Sequence, residues 1–309
     1  MIDSRFSPPC KDSQPCVATI GFFDGLHRGH RCLIDQVIQL AKQRGLSSAV
    51  VTFPVHPRQV MSPDYAPHLL TTFEEKMALL AQTAIDRIIL IPFTPQLAQK
   101  SAREFMLMLR QEYHVQALVI GYDHRFGHNR SEGFADYVRY GQEMGMEVVQ
   151  ATPLDKTEIQ VSSSRIRQLV SDGAVDEAAL LLGYPYFIEG EVESGYQVGR
   201  TIGFPTANLL PNDPQKLIPA DGVYAVKVRL TTGATYNGML CIGHRPTLQN
   251  GPQRSIEVHL FDFKGNLYRQ TIHIAFIKYT RQEQRFDSIE ALRQRIALDE
   301  QEIRQLLAD

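Results

Sequence analysis

Val17-Ala18-Thr19-Ile20-Gly21-Phe22-Phe23-Asp24-Gly25-Leu26-His27-Arg28-Gly29-His30 is the stretch whose reading decides the fold. An apolar, β-rich run leads into it. An amphipathic run, Leu33-Ile34-Asp35-Gln36-Val37-Ile38-Gln39-Leu40-Ala41, leads out. Leu33, Ile34, Val37, Ile38 and Ala41 recur at helical spacing, so the glycines and both histidines fall on a strand-to-helix turn. Gly21, Gly25 and Gly29 allow the backbone to turn sharply or to approach a ligand. A helix start offers unpaired N–H groups and a positive dipole end to an anion. His27 and His30, three apart, would add two donors beside the same phosphate. On these residues alone the pair reads equally well as ordinary polar turn residues. Metal binding is not indicated, because no other His or Cys group sits nearby at ligand spacing.

Outward from this turn, short apolar strands alternate with amphipathic helices. Strands are expected at Val17–Ile20, Ala49–Phe53, Arg87–Ile91, Ala117–Ile120 and Met146–Val149. Helices are expected after the turn, ending at Gly45, and at Phe73–Ala81, Ala102–Gln111 and Phe134–Met144. Continuously apolar strands in this rhythm indicate an α/β fold with a parallel sheet covered on both faces. Ligands of such sheets bind beyond the carboxyl ends of the strands. The segments at those ends are Asp24 to His30, Pro54-Val55-His56-Pro57, and Gly121-Tyr122-Asp123-His124-Arg125-Phe126-Gly127. Each alone reads more readily as a plain turn, since Gly and Pro form turns. Val161-Ser162-Ser163-Ser164-Arg165-Ile166-Arg167 has two readings as well. Its serines can simply cap a helix, or a hydroxyl-rich helix start with Arg167 can face a polyphosphate.

Near residue 184 the rhythm changes to strand after strand: Phe187–Val192, Val223–Leu230, Tyr236–Ile242, Ser255–Phe263 and Thr271–Ile277. With Thr232-Gly233 and Lys264-Gly265-Asn266 as turns, this predicts a small antiparallel barrel. A C-terminal helix, Ile289–Leu307, should pack on it through Ile289, Leu292, Ile296, Ile303, Leu306 and Leu307. The expected domains are therefore 1–184 and 185–309, preceded by a loose polar arm over residues 1–15. In Gly199-Arg200-Thr201-Ile202-Gly203-Phe204-Pro205-Thr206-Ala207-Asn208-Leu209, the glycines mark a mobile or tightly bent loop. Thr206 and Asn208 point the same way in extended chain. Their neutral oxygens suit Mg²⁺ shared with substrate phosphates, although P-T-A-N by itself is more often a turn and a strand start. In Ser255-Ile256-Glu257-Val258-His259-Leu260-Phe261-Asp262-Phe263, alternation puts Glu257 and His259 on one face. A strand glutamate is usually solvated, but at a pocket it can take a proton from an attacking hydroxyl.

Composition bounds the partners. The chain has 309 residues, 43% hydrophobic and 21% charged, with a net charge of −2 and no polybasic run. No broad nucleic-acid or membrane footprint is expected, and no apolar run approaches the ~20 residues of a membrane span. Cys10, Cys16, Cys32 and Cys241 form no C-x-x-C, which fits a reducing cytoplasm. A homo-oligomer is left open.

G-F-F-D-G-L-H-R-G-H after a strand resembles the nucleotidyltransferase signature. Its F-D-G-x-H-x-G-H form is similar to the adenylyltransferase half of bacterial bifunctional riboflavin kinase/FAD synthetases. The resemblance extends through Leu70-Thr71-Thr72-Phe73-Glu74-Glu75-Lys76, G-Y-D-H-R-F-G and V-S-S-S-R-I-R. In the second half it is carried by G-R-T-I-G-F-P-T-A-N, D-G-V-Y-A-V, I-G-H-R-P-T and E-V-H-L-F-D-F, in the family's order. The chain departs from the family's usual residues at His124, Tyr184, Cys241 and His244, and has T-F-P-V-H-P for T-F-x-P-H-P. The resemblance implies a Rossmann-like nucleotidyltransferase domain followed by a riboflavin kinase-like antiparallel barrel with a C-terminal helix.

It further implies ATP-dependent phosphorylation of riboflavin to FMN, then adenylylation of FMN by a second ATP. Thr206 and Asn208 would hold Mg²⁺ with the nucleotide, and Glu257 would activate the ribityl hydroxyl. His27 and His30 would serve adenylyl transfer. Gly21, Asp24, Gly29, His56, Asp123, Ser163, Ser164 and Arg167 would contact nucleotide or flavin, and Arg200 and Gly203 would lie on a loop over ATP. Other readings are a chain with one active domain, a non-catalytic flavin- or nucleotide-binding regulator, and a cytidylyl- or pantetheine-type transferase. The P-T-A-N barrel speaks against the last.

Overall fold

The structure, a computed structural model, describes residues 6–7, 14–62, 64, 66, 68–122, 124–128, 131–153, 161–193, 199, 202–244 and 254–308. Two compact units result, Met1–Ser163 and Ser164–Asp309.

In the first unit, β1 (Phe6–Ser7), β2 (Cys16–Ile20), β3 (Ser47–Thr52), β4 (Arg87–Leu90), β5 (Val115–Ile120) and β6 (Glu147–Gln150) form one sheet. Its order is β1-β4-β3-β2-β5-β6 and every pairing is parallel. The arm expected to be loose thus contributes Phe6–Ser7 as a short edge strand beside Ile88 and Ile89. All five residues of β2 are buried, as a strand covered on both faces requires. Ala18, Val51, Ile89 and Leu118 pack against Phe105, Met106 and Leu109 of a core-facing helix. The chain runs outward from β2 through β3 and β4, then crosses back to β5. The carboxyl ends of β2 and β5 therefore flank a topological switch point, the usual place for a ligand in open α/β sheets.

Helix α1 spans Arg28–Arg44 and ends on left-handed Gly45. It begins five residues earlier than the apolar period suggests, because the His27 side chain caps it. Helix α2 (Pro57–Met61) is absent from the sequence reading; five residues are too few to show a period, but His56 and Gln59 cap it reciprocally. Helix α3 spans Phe73–Ala81 as expected, with a Thr72/Glu75 capping box. Helices α4 (Pro95–Ala98), α5 (Ala102–Glu112) and α6 (Phe134–Met144) complete this unit.

Helix α7 (Ser163–Ser171) crosses the division, and α8 (Val175–Leu182) lies in the second unit, before the barrel. The compact units thus part earlier in the chain than the change of rhythm near 184. Strands β7 (Phe187–Glu193), β8 (Ala207–Pro211), β9 (Gly222–Leu230), β10 (Thr235–His244), β11 (Arg254–Leu260) and β12 (Thr271–Arg281) close in the order β10-β11-β8-β7-β12-β9. Closure removes exposed sheet edges. Val226, Val228, Leu240, Val258, Ile274 and Phe276 are fully buried. Alternate positions face outward, where α9 (Ile289–Leu306) covers Val223, Ala225, Met239 and Phe261 with Ile296, Ile303, Leu306 and Leu307. Ile289, expected in that stripe, is 71% exposed instead. Its turn lies before the part of the helix that meets the barrel.

Candidate functional site

Two clusters stand out, one in each unit. In the first, Gly21 follows β2 directly, its N–H donating to Val51 O at 3.1 Å. Phe23 then adopts the left-handed region at φ 58°, and Gly25 does so at φ 77°. These reversals turn the chain into α1. His27 caps that helix, its Nδ1 accepting from His30 N at 3.3 Å. The two imidazoles stack with centroids 3.6 Å apart and planes 15° apart. Phe23 meets His30 edge-on at 5.2 Å. A Cβ at Gly29 would stand 3.3 Å from the His27 ring, so glycine leaves that ring its place against the helix.

Burial pushes His30 well below the ordinary imidazole range, and the neighbouring His27 and His124 push it further the same way. Its Nδ1 is buried, with no hydrogen-bond partner among the described residues. Two stacked imidazoles at a helix N-terminus cannot cheaply carry charge together. An anion at that place would supply counter-charge and accept their donors.

Asp24 is buried, and its carboxylate accepts from Leu70 N at 3.1 Å, Thr71 N at 3.0 Å and Thr71 Oγ1 at 3.2 Å. Those bonds hold the segment leading into α3. Ser163 Oγ donates to Asp24 O at 3.0 Å, which places Ser163 at this turn. His56, beyond β3, caps α2 through Nδ1 at 3.2 Å from Arg58 N. Its ring meets Phe22 edge-on at 4.7 Å. On the ring of Phe22, 3.9 Å from its centroid, lies Lys76 Nζ, which also donates to Phe53 O at 2.8 Å. Lys76 is 1% exposed. Burial pulls its pKa down to about 7, with Asp24 acting in the opposite direction.

The turn after β2, the turn after β3 and the start of α3 thus meet in one place. Lys76 and Phe22 were not singled out from sequence as site residues. The available signal was a lysine closing L-T-T-F-E-E-K at a helix position whose neighbours are apolar. His124 follows β5 and acts on His30 electrostatically, and Tyr122 beside it is exposed. Asp123, expected at this site, lies outside the described residues. Ser164 is exposed and Arg167 half-buried, both in the second unit.

The second cluster is on the barrel's outer face. Glu257 of β11 lies between Asn208 of β8 and Cys241 of β10 in the strand register. Thr206 Oγ1 donates to Glu257 Oε2 at 3.3 Å. The expected alternation is what the barrel shows, with Val258 and Leu260 buried and Glu257 and His259 half-buried. His259, given no role from sequence, bonds through Nδ1 to Pro205 O at 2.7 Å. It stands edge-on to Phe204 at 5.7 Å, fixing the residues just before Thr206.

Gly199 O accepts from Phe204 N at 2.8 Å. A Cβ at Gly199 would run into Phe204 O and come within 3.2 Å of Thr206 Oγ1. Gly203 sits at φ 92°, where a side chain would be strained. Arg200 lies outside the described residues. Thr206 and Asn208 with the Glu257 carboxylate form an all-oxygen set of the kind Mg²⁺ prefers. Among the described residues no group of three or more His, Cys, Asp or Glu side chains could hold a metal ion.

An anion-ready histidine pair at the switch point of a parallel sheet, and a carboxylate with neutral oxygens on a closed barrel, define a chain built for two separate group transfers. Sequence comparison agrees with that division. A family model for FAD synthetase matches residues 10–165 and one for riboflavin kinase matches residues 182–307. The chain belongs to the bifunctional riboflavin kinase/FMN adenylyltransferase family.

The Listeria monocytogenes protein of that description is 37% identical over 94% of this chain and 92% of its own. The Escherichia coli K12 protein is 36% identical over 92% and 90%. A crystal structure from Streptococcus pneumoniae, described as a macrolide-efflux protein, has a TM-score of 0.87 at 31% identity, covering 96% of this chain and 95% of its own. Among the described residues of the present chain, no helix is long and apolar enough to cross a membrane.

Proposed function

We propose that this chain makes FMN from riboflavin and ATP in its barrel, and FAD and pyrophosphate from FMN and a second ATP in its parallel-sheet unit. The catalytic halves are residues 1–184 and 185–309. The observation that carries the reading is the presence, in one chain, of a stacked histidine pair at the switch point of a parallel sheet and a carboxylate beside neutral oxygens on a closed barrel. Both steps consume ATP, and the cysteines fit a reducing compartment, which supports a cytoplasmic location.

In the kinase step, Glu257 accepts the proton of the riboflavin 5′-hydroxyl as that oxygen attacks the γ-phosphorus of ATP; ADP leaves. Thr206 orients the Glu257 carboxylate through their hydrogen bond. Thr206 and Asn208 would hold Mg²⁺, which would supply positive charge to offset that developing on the nucleotide phosphates. Gly203 would lie on a loop that covers ATP and excludes water, and a part there for Arg200 rests on the family resemblance alone.

In the second step an oxygen of the FMN phosphate attacks the α-phosphorus of ATP. The new P–O bond forms as the bond to the β-phosphate bridge breaks, and pyrophosphate departs. No protein nucleophile takes part. Catalysis comes from positioning and from donors aimed at the phosphates. His27, His30 and the α1 N-terminus are those donors. Gly21 and Gly29 let the backbone approach, while Asp24 and Ser163 brace the turn and His56 braces Phe22. The roles of Asp123, Ser164 and Arg167 rest on the family resemblance alone.

Variants confined to one cluster at a time separate the steps. Glu257→Gln should form no FMN from riboflavin yet convert supplied FMN to FAD. Replacing His27 and His30 together by Ala should let FMN accumulate without FAD. Retained riboflavin phosphorylation in the first, or normal FAD output in the second, rejects the corresponding assignment.

A further inference from the structure

We infer that Lys76 is a positioning residue for adenylyl transfer: its ammonium, sealed between the Phe22 ring and the Phe53 carbonyl, holds the turns after β2 and β3 in the geometry in which FMN and ATP react. The inference rests on the adenylylation reading above.

Lysine is almost never fully buried unless paired, because its charge loses hydration. Here the contacts on Nζ are a neutral carbonyl at 2.8 Å and two ring faces, Phe22 at 3.9 Å and Phe73 at 5.9 Å. Asp24 is the charged group acting on it, and that carboxylate already accepts from Leu70 and Thr71. An apolar side chain would fill this space without the desolvation cost. What the cation holds accounts for its retention. Phe22 leads into left-handed Phe23, whose ring meets His30, and its own ring makes a T-shaped contact with His56. Phe53 leads into the Pro54-Val55-His56 turn. One ammonium on α3 therefore ties together both segments that carry the site's imidazoles, partly through a cation–π contact that requires the charge.

The pH dependence follows. In the free enzyme the ammonium is lost as pH rises through about 7. Bound polyphosphate favours the charged form and delays that loss. The kcat/KM for FMN adenylylation should show an alkaline limb near neutrality, and the corresponding limb in kcat should lie at higher pH. The imidazoles of His27, His30 and His56 stand on the same two turns, so the limb is assigned by variants. Lys76→Met should lower kcat for FAD formation roughly 10- to 100-fold and erase the limb. Lys76→Arg should keep most of the activity and show no neutral limb, since guanidinium does not deprotonate there. Riboflavin phosphorylation by the same preparations reports on folding of the barrel.

Wild-type kcat together with an unchanged limb in Lys76→Met overturns the inference. Should Lys76→Met fail to fold, a limb persisting at the wild-type position in Lys76→Arg overturns it instead. Wild-type protein that makes no FAD at any pH refutes the adenylylation reading, which is a separate failure.

Discussion

Gly29 shows how the absence of one carbon shapes a site. With glycine there, the His27 ring lies against the first turn of α1; a methyl group would press on it at 3.3 Å. Gly29→Ala should lower FAD formation from FMN by ~10- to 100-fold through that displacement, with riboflavin phosphorylation unchanged, as steady-state assays of the two steps can check. His30 carries a second prediction. Its folded pKa lies below the unfolded value of 6.5, so the unfolded chain binds the extra proton first. Stability is therefore lost as pH falls below about 6.5, at up to about 1.4 kcal/mol per pH unit. His30→Gln should flatten the urea-midpoint profile between pH 6.5 and 5. Cys241 carries a third. Burial raises its thiol to about 12, with Glu283 and Glu257 pushing the same way. Iodoacetamide at pH 8 should leave half-buried Cys241 largely unlabelled, and peptide mass mapping that finds it readily alkylated would contradict this.

At the scale of elements, helix α9 is tied to the barrel by charge as well as by its apolar stripe. Asp299 is 1% exposed and takes bonds from Arg281 at 2.6 Å and Arg295 at 2.7 Å. Asp299→Asn leaves those guanidinium groups without their shared anion and should cost about 3 kcal/mol, read from urea unfolding. No change in midpoint would contradict that weight. Gly199→Ala should abolish riboflavin phosphorylation and spare FAD formation, because the added methyl collides with Phe204 O. Most strands and the longer helices were legible in the sequence because burial imposes a period: α3 falls on its expected bounds and β11 alternates as read, whereas short β8 is missing from the expected strands. The start of α1 was not, since its first turn is set by a histidine cap and left-handed Phe23, which leave no apolar pattern. Short α2 and edge strand β1 were hidden for the same reason. Ile289 fits the stripe by spacing, but spacing does not tell where the barrel ends.

Across the whole molecule, two kinds of motif announced two units, and the parallel sheet and the closed barrel both follow. His27 with His30, and Thr206 with Asn208, were readable because residues one turn or two positions apart are brought together by local geometry. Lys76 over Phe22 and His259 on Pro205 were not, because each contact depends on chain segments far apart in sequence. The central claim is that one polypeptide performs two transfers on the same flavin. The most direct measurement incubates the protein with riboflavin, ATP and Mg²⁺ and follows flavins and phosphates over time. FMN should rise first and FAD after a lag, with ADP equal to the sum of FMN and FAD and pyrophosphate equal to FAD throughout. Riboflavin recovered unchanged, or FMN that never proceeds to FAD, would contradict the account.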